Sequence, residues 1–169
     1  MFPFPRKARR SRKASAAKLT IDWVIPGRLA IGPLPHDQQR SQFEQAQIQA
    51  VLSLCAPHEG PIPAWIQALQ WQRCVLPDSH CDRLITVSEI EQAVEQLHQL
   101  LQLATPVYIH CIASIERSPL ITLAYLCRHR SLDFWEALSH LQQVHSPTRP
   151  TDAQMKVLQQ YLRTVSSQT

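Results

Sequence analysis

Hydrophobic and polar positions alternate between two periods along this chain. LTIDWVIPGRLAIG carries apolar residues in two short runs around Pro26-Gly27, so it predicts two short strands about a turn, the second over Leu29 to Ile31. His36 to Gln49 is polar, with Phe43, Ala46 and Ile48 spaced for a short helix. Ala50 to Cys55 is an apolar run of the kind a strand buried on both faces shows. PIPAWIQAL reads as a turn of helix, and Trp71 to Leu76 as a further strand running into PDSHCD. Val87, Ile90, Val94, Leu97, Leu101 and Ala104 recur at threes and fours behind a Thr86–Glu89 capping box, which predicts a long amphipathic helix stopped by Pro106. Val107 to His110 reads as a short buried strand, and Pro119 to Arg130 as a helix apolar nearly all round. Two amphipathic helices follow, over Ser131 to Val144 and over Thr151 to Val165, the latter with Thr151 and Gln154 as its capping box. Strands alternating with helices predict a single α/β domain. Its centre is one mainly parallel sheet of about four to five strands flanked by helices.

Length agrees with one domain, since 169 residues bury a single good core. Charge changes the picture only at one end. Residues 1–18 hold Arg6, Lys7, Arg9, Arg10, Arg12, Lys13 and Lys18 and no acid, seven of the 17 cations. The remainder has 10 cations against 13 acids, a balance of −3. We therefore divide the chain into a basic, disordered leader at 1–18 and a domain over 19–169. Nucleic acid or an anionic membrane surface is the partner such a leader suits. No apolar run approaches the ~20 residues of a membrane span, and the prolines and charges of MFPFPRKARR leave no apolar signal core. The five cysteines form no CxxC pairs, which argues against a zinc site or a disulfide framework and for the reducing cytoplasm.

The chemistry concentrates in HCIASIERSP, residues 110–119, where a predicted strand turns into a predicted helix. Ligands of parallel α/β sheets bind beyond the carboxyl ends of the strands. Unpaired amides at a helix start, with its partial positive charge, make an anion site. Five residues between Cys111 and Arg117 can bend into a cradle with thiol and guanidinium facing one bound group. The guanidinium fork matches two phosphate oxygens. A free thiol is only a few per cent ionised at neutral pH. The cradle amides, the helix end and Arg117 all favour its thiolate. Ser118 can donate to the sulfur, and His110 can orient the backbone. A departing alkoxide needs an acid, and Asp78, 33 residues upstream of Cys111 in LPDSH, lies at the same sheet edge. Asp82 is the reserve.

These residues resemble the cysteine-dependent dual-specificity phosphatases of the protein tyrosine phosphatase superfamily. The motif C-x5-R followed by Ser and preceded by His carries the likeness, with IPGRLAIG and SPTRPTDAQMKVLQQYL beside it, over about residues 21 to 162. The resemblance implies two steps. Cys111 forms a phosphocysteine while Asp78 protonates the leaving oxygen, then water attacks with Asp78 as base and Ser118 eases sulfur's departure. The amides of Ile112, Ala113, Ser114, Ile115, Glu116 and Arg117 would hold the phosphoryl oxygens, with no metal or other cofactor. VLSLCAPHE is similar to a strand end of the superfamily's phosphoinositide phosphatases, which implies Cys55 as a reversible redox partner of Cys111.

Two residues depart from the family pattern. Ser114 stands where the family usually has Gly, at a strain of about 1–2 kcal/mol if the position needs positive φ. Glu116 puts a carboxylate beside the phosphate, and we expect it to turn away towards a cation outside the loop. The substrate expected is a phosphorylated protein, at phosphotyrosine and also phosphoserine or phosphothreonine, in a shallow cleft. The alternatives are a non-protein ester such as a phosphoinositide or phosphoglucan, and a phosphate-binding pseudophosphatase.

Overall fold

The computed structural model describes residues 21–166. The leader expected over 1–18 lies outside the described residues. Strands β1 (Asp22–Ile25) and β2 (Leu29–Gly32) form an antiparallel hairpin. Its turn depends on Gly27, whose φ of +66° is open to a residue without Cβ. Next come α1 (Arg40–Gln45), β3 (Ala50–Ser53), β4 (Gln70–Arg73), α2 (Val87–Leu103) and β5 (Val107–His110). The chain closes with α3 (Arg117–Arg130), α4 (Phe134–Val144) and α5 (Asp152–Ser166). The sheet order is β1-β2-β5-β3-β4, and every pairing but the first is parallel. The architecture is therefore the expected α/β fold, with β5 at the centre of the sheet.

Period-two burial explains the two layers. Leu29 and Ile31 of β2, Ala50 and Leu52 of β3, and Val107 and Ile109 of β5 join the main core with α2, α3, α4 and α5. Ala30, Val51 and Tyr108, between them, form a smaller cluster with Phe43 of α1, Ile48 and Ile66. Phe43 packs edge-on against both Tyr108 and Trp65, with centroids 4.7 and 5.0 Å apart. α3 is buried along Arg117 to Leu126, so the element carrying the motif runs through the middle of the domain.

Several boundaries differ from the periodicity. The helix expected over His36 to Gln49 is regular only at Arg40–Gln45, since a tighter 3₁₀ turn precedes it and Gln47 adopts φ +55° just after it. The strand expected over Trp71 to Leu76 pairs fully only at Gln70–Arg73, after which the chain peels towards Asp78. The helix expected from Ser131 starts at Phe134 instead. Ser131 takes φ +54° to terminate α3, and the Asp133 carboxylate accepts from the Trp135 amide at 2.8 Å to cap α4. The Thr86–Glu89 box forms as expected, with the Glu89 amide donating to Thr86 Oγ1 at 3.2 Å and the Thr86 amide to Glu89 Oε2 at 2.9 Å.

Candidate active site

β5 delivers Cys111 at its carboxyl end, and residues 111–116 turn into the amino end of α3 at Arg117. The loop's carbonyls are tied from behind. His110 Nδ1 donates to the Cys111 carbonyl at 3.2 Å, and the Leu34 amide to the Ile112 carbonyl at 3.0 Å. His145 Nε2 donates to the Ser114 carbonyl at 2.7 Å, and the Arg149 amide to the Ile115 carbonyl at 2.8 Å. A trans peptide sets its N–H opposite its carbonyl. The amides of Ile112, Ala113, Ile115 and Glu116 therefore turn the other way, into the bend. His145 is itself fixed, with Nδ1 2.6 Å from Asp22 Oδ2 of β1. Neither Asp22 nor His145 stands out in the sequence, because the histidine serves a backbone carbonyl and belongs to no motif.

Ser114 has φ +56°, so the strain foreseen for a side chain at this position is present. The residue returns something for it. Its hydroxyl lies 3.0 Å from Ser118 Oγ, and Ser118 donates to Cys111 Sγ at 3.3 Å. Since Ser118 spends its proton on sulfur, Ser114 donates to Ser118, giving a two-hydroxyl relay onto the thiol.

Arg117 is 3% exposed and its guanidinium is held by a carboxylate the sequence did not single out, Glu59. Nη1 donates to Glu59 Oε2 at 2.9 Å and Nη2 to Oε1 at 2.6 Å, while Nη1 also reaches the carbonyls of Leu54 at 3.3 Å and Leu76 at 3.2 Å. With Nη1 saturated, Nε and the second Nη2 proton remain to meet two oxygens of a bound phosphoryl group. Burial works against the Arg117 charge, but the Glu59 bond and the neighbouring thiols outweigh it and hold the group firmly protonated. Burial likewise raises Glu59, yet the bonds from Arg117 and the Ala56 amide win and keep its carboxyl below its ordinary value.

Asp78 follows β4 on the loop facing the cradle, with Oδ2 4.0 Å from Arg117 Nη2. Burial pushes its carboxyl up. The His80 amide at 2.9 Å, the Cys81 thiol and Arg117 push it down further, so unliganded Asp78 is a carboxylate. Asp82, the reserve, is exposed, and among the described residues it makes no hydrogen bond to the cradle. His110 is fully buried, and desolvation drops its pKa to about 4, so it is a neutral ring. Its Nε2 has no partner among the described residues. Cys55 lies just beyond β3 beside the cradle, its thiol pushed up to about 12 by burial, partly offset by Arg117. Cys55 and Cys111 are both free thiols. Glu116 turns away from the bend, but not to a cation as expected. Its oxygens accept from the Ser79 amide and hydroxyl and from Gln154, all neutral donors. No cluster of His, Cys, Asp and Glu suited to a metal occurs among the described residues.

A thiol, a buried guanidinium, inward amides and a loop aspartate around one bend are the parts of a cysteine-dependent phosphoryl-transfer site. The family model for the dual specificity phosphatase catalytic domain matches residues 29–164. The chain belongs to that family. Among curated proteins, the dual specificity phosphatase domain here is similar to the phosphatidylglycerophosphate phosphatase PTPMT2 of Arabidopsis thaliana, 24% identical over 136 residues. That match covers 80% of this chain and 60% of the relative. PTPMT1 of the same plant is 24% identical over 143 residues, covering 79% of this chain and 40% of the relative. The chain thus spans less than two thirds of either relative's length. Among solved structures, a mouse dual specificity phosphatase complexed with zinc tungstate superposes with a TM-score of 0.75 at 20% identity, covering 92% of this chain and 94% of that one. Tk-PTP in its active form gives 0.73 at 20% identity, covering 85% and 96%. PTPMT1 in complex with PI(5)P gives 0.72 at 19% identity, covering 83% and 94%. As a dual specificity phosphatase domain, the chain shares its fold with all three.

Proposed function

We propose that the chain hydrolyses a phosphomonoester on a lipid headgroup of the phosphatidylglycerophosphate kind, through a phosphocysteine intermediate. In the first step the Cys111 thiolate forms a sulfur–phosphorus bond as the ester phosphorus–oxygen bond breaks. Asp78 gives its proton to the departing alcohol. An arriving phosphoryl dianion supplies the like charge that lifts the Asp78 carboxyl towards the protonated form this step needs. In the second step water attacks phosphorus and loses a proton to Asp78, while sulfur departs as a thiolate stabilised by Ser118. Arg117 and the cradle amides hold the equatorial oxygens, whose charge changes most in the transition state.

The observation that carries the substrate choice is the cradle's lip. Ile112 and Ile115 are 36% and 40% exposed there, beside a buried thiol and guanidinium. Isoleucines around a phosphate site suit a headgroup approached along an apolar surface, and a loop without added cations does not suit a heavily phosphorylated inositol. The names of the two plant relatives support the same class. So does the composition of residues 1–18, which suits an anionic membrane surface. Among the described residues no helix is long and apolar enough to cross a membrane. A phosphoprotein is the second reading, favoured by the dual specificity family match. Phosphate release should be measured from phosphatidylglycerophosphate vesicles and from phosphotyrosine and phosphoserine peptides, with wild type and Cys111→Ser. We expect turnover on vesicles that the serine variant abolishes. Faster turnover of the peptides would overturn the lipid assignment and leave the phosphocysteine chemistry standing.

A further inference from the structure

We infer that Glu116 is a positioning residue, a latch whose carboxylate fastens the Asp78 loop to the phosphate cradle. This rests on the proposed role of Asp78 as acid. Glu116 occupies the residue before α3, where an acid could cap the helix, yet its side chain makes no capping bond there. Both oxygens are given instead to Ser79, the neighbour of Asp78. The Ser79 hydroxyl donates to Oε1 at 2.7 Å and the Ser79 amide to Oε2 at 3.1 Å. Gln154 Nε2 approaches Oε2 at 3.4 Å from the start of α5. Gln154 is 4% exposed and is fixed in turn, since its Oε1 accepts from the Thr151 amide at 2.8 Å and its amide donates to Thr151 Oγ1 at 3.2 Å. Cradle, acid loop and α5 thus meet on one carboxylate.

Further along, Arg83 ties the loop to α2 by donating to Glu89 at 2.6 and 3.0 Å, but residues 78–82 themselves have little else to hold them. The remaining hydrogen bonds of residues 78–82 among the described residues are local, from the His80 amide and the Cys81 thiol to the Asp78 carboxylate and from the Cys81 amide to the Asp78 carbonyl. They shape the turn without attaching it to the domain. Ser79, His80, Cys81 and Asp82 are solvent-facing or partly so, which leaves no apolar anchor in the loop. Asp78 itself approaches the cradle at Arg117, with 4.0 Å between Oδ2 and Nη2. Fixing Ser79 at two atoms therefore fixes where its neighbour's carboxyl sits. The position one residue before the phosphate-gripping arginine is a poor place for a negative charge, at a site that binds a dianion. A carboxylate that accepts both an N–H and an O–H from one residue explains its presence there, because a neutral amide side chain has only one acceptor atom.

The test compares kcat/KM on a nitrophenyl phosphate, whose leaving group needs little acid, with that on an alkyl phosphate, whose leaving group needs much. General acid catalysis is worth ~10²–10⁴ for such a leaving group. Wild type, Asp78→Asn, Glu116→Gln, Glu116→Asp, Ser79→Ala and the Asp78→Asn/Glu116→Gln double variant are measured. In Glu116→Gln the alkyl-to-aryl ratio should fall by about 10-fold or more, with the alkaline limb of the pH profile flattened. Glu116→Asp should recover part of the ratio. Ser79→Ala, at an exposed position that tolerates change, should fall between. The double variant should show the ratio of Asp78→Asn alone. A uniform fall on both esters in Glu116→Gln, or a further fall in the double variant, would overturn the latch while leaving Asp78 as acid. An unchanged ratio in Asp78→Asn would remove the acid assignment, and the latch with it.

Discussion

Replacing Glu59 by Gln keeps the shape of the side chain and removes the charge that faces Arg117. The two groups meet end-on at 2.6 and 2.9 Å, so their charge centres lie about 4 Å apart, and an effective dielectric near 20 gives roughly 4 kcal/mol of attraction. Removing one member of a buried pair costs about 3–5 kcal/mol, because the other is left buried and uncompensated. Arg117 is nearly inaccessible but the Glu59 side chain is 17% exposed, so solvent reduces the loss to about 2–4 kcal/mol. With a urea m-value of about 2 kcal/mol/M, that shifts the unfolding midpoint down by about 1–2 M. The uncompensated guanidinium should then seek another anion. Inorganic phosphate should raise the midpoint of Glu59→Gln more than that of wild type. The pH dependence has a fixed sign. The Glu59 carboxyl is held below its ordinary value of 4.5, so its contribution is present above that pH and is lost as pH falls through the depressed value. The wild-type advantage should accordingly shrink in acid. A Glu59→Gln midpoint within about 0.3 M of wild type at neutral pH, with equal phosphate stabilisation, would refute the argument.

Other expected outcomes follow from the same site. His110 is buried neutral with its pKa lowered from 6.5 to about 4, so its share of stability is complete above 6.5 and fades on acidification towards 4. That share is about 3 kcal/mol, and His110→Asn should flatten the acid side of a thermal-unfolding series against pH. Ser114→Gly should relieve about 1 kcal/mol of backbone strain yet remove the hydroxyl behind Ser118, leaving the melting temperature near wild type while lowering single-turnover dephosphorylation; an unchanged rate would remove the relay. If Cys55 protects Cys111, mild peroxide should yield a Cys55–Cys111 disulfide by peptide mapping, and finding Cys111 only as sulfinic or sulfonic acid would exclude the pairing.

What could be read from residues alone was whatever lay close together in the chain. VYIH, CIASIER and the apolar run after Pro119 are contiguous, so strand, cradle and helix follow from local pattern. Asp78 was reachable because its strand ends at the same sheet edge. Glu59 was not, since a lone carboxylate in APHEGP reads as a loop charge and its partner is 58 residues away. One signal did exist in principle. A buried arginine demands a carboxylate, and Glu59 lies just beyond an apolar strand that ends at the cradle. Asp22 and His145 were hidden for a similar reason, 123 residues apart and joined only by the fold. Glu116 departs visibly from the family pattern, but its partner is not the cation its charge suggests, because two neutral donors on one serine satisfy the carboxylate.

The position of β5 between β2 and β3 has one further implication. Cys111 and the loop after it are rooted in the midline of the sheet, supported by a strand on each side and by a helix running through the interior. Asp78, the proposed acid, hangs from β4, a border strand. Any breathing that admits an ester or releases an alcohol is then expected at the border, where the Glu116 contacts to Ser79 would have to open, rather than at the midline. Mutations that retune turnover without harming the grip on phosphate should collect on that border loop.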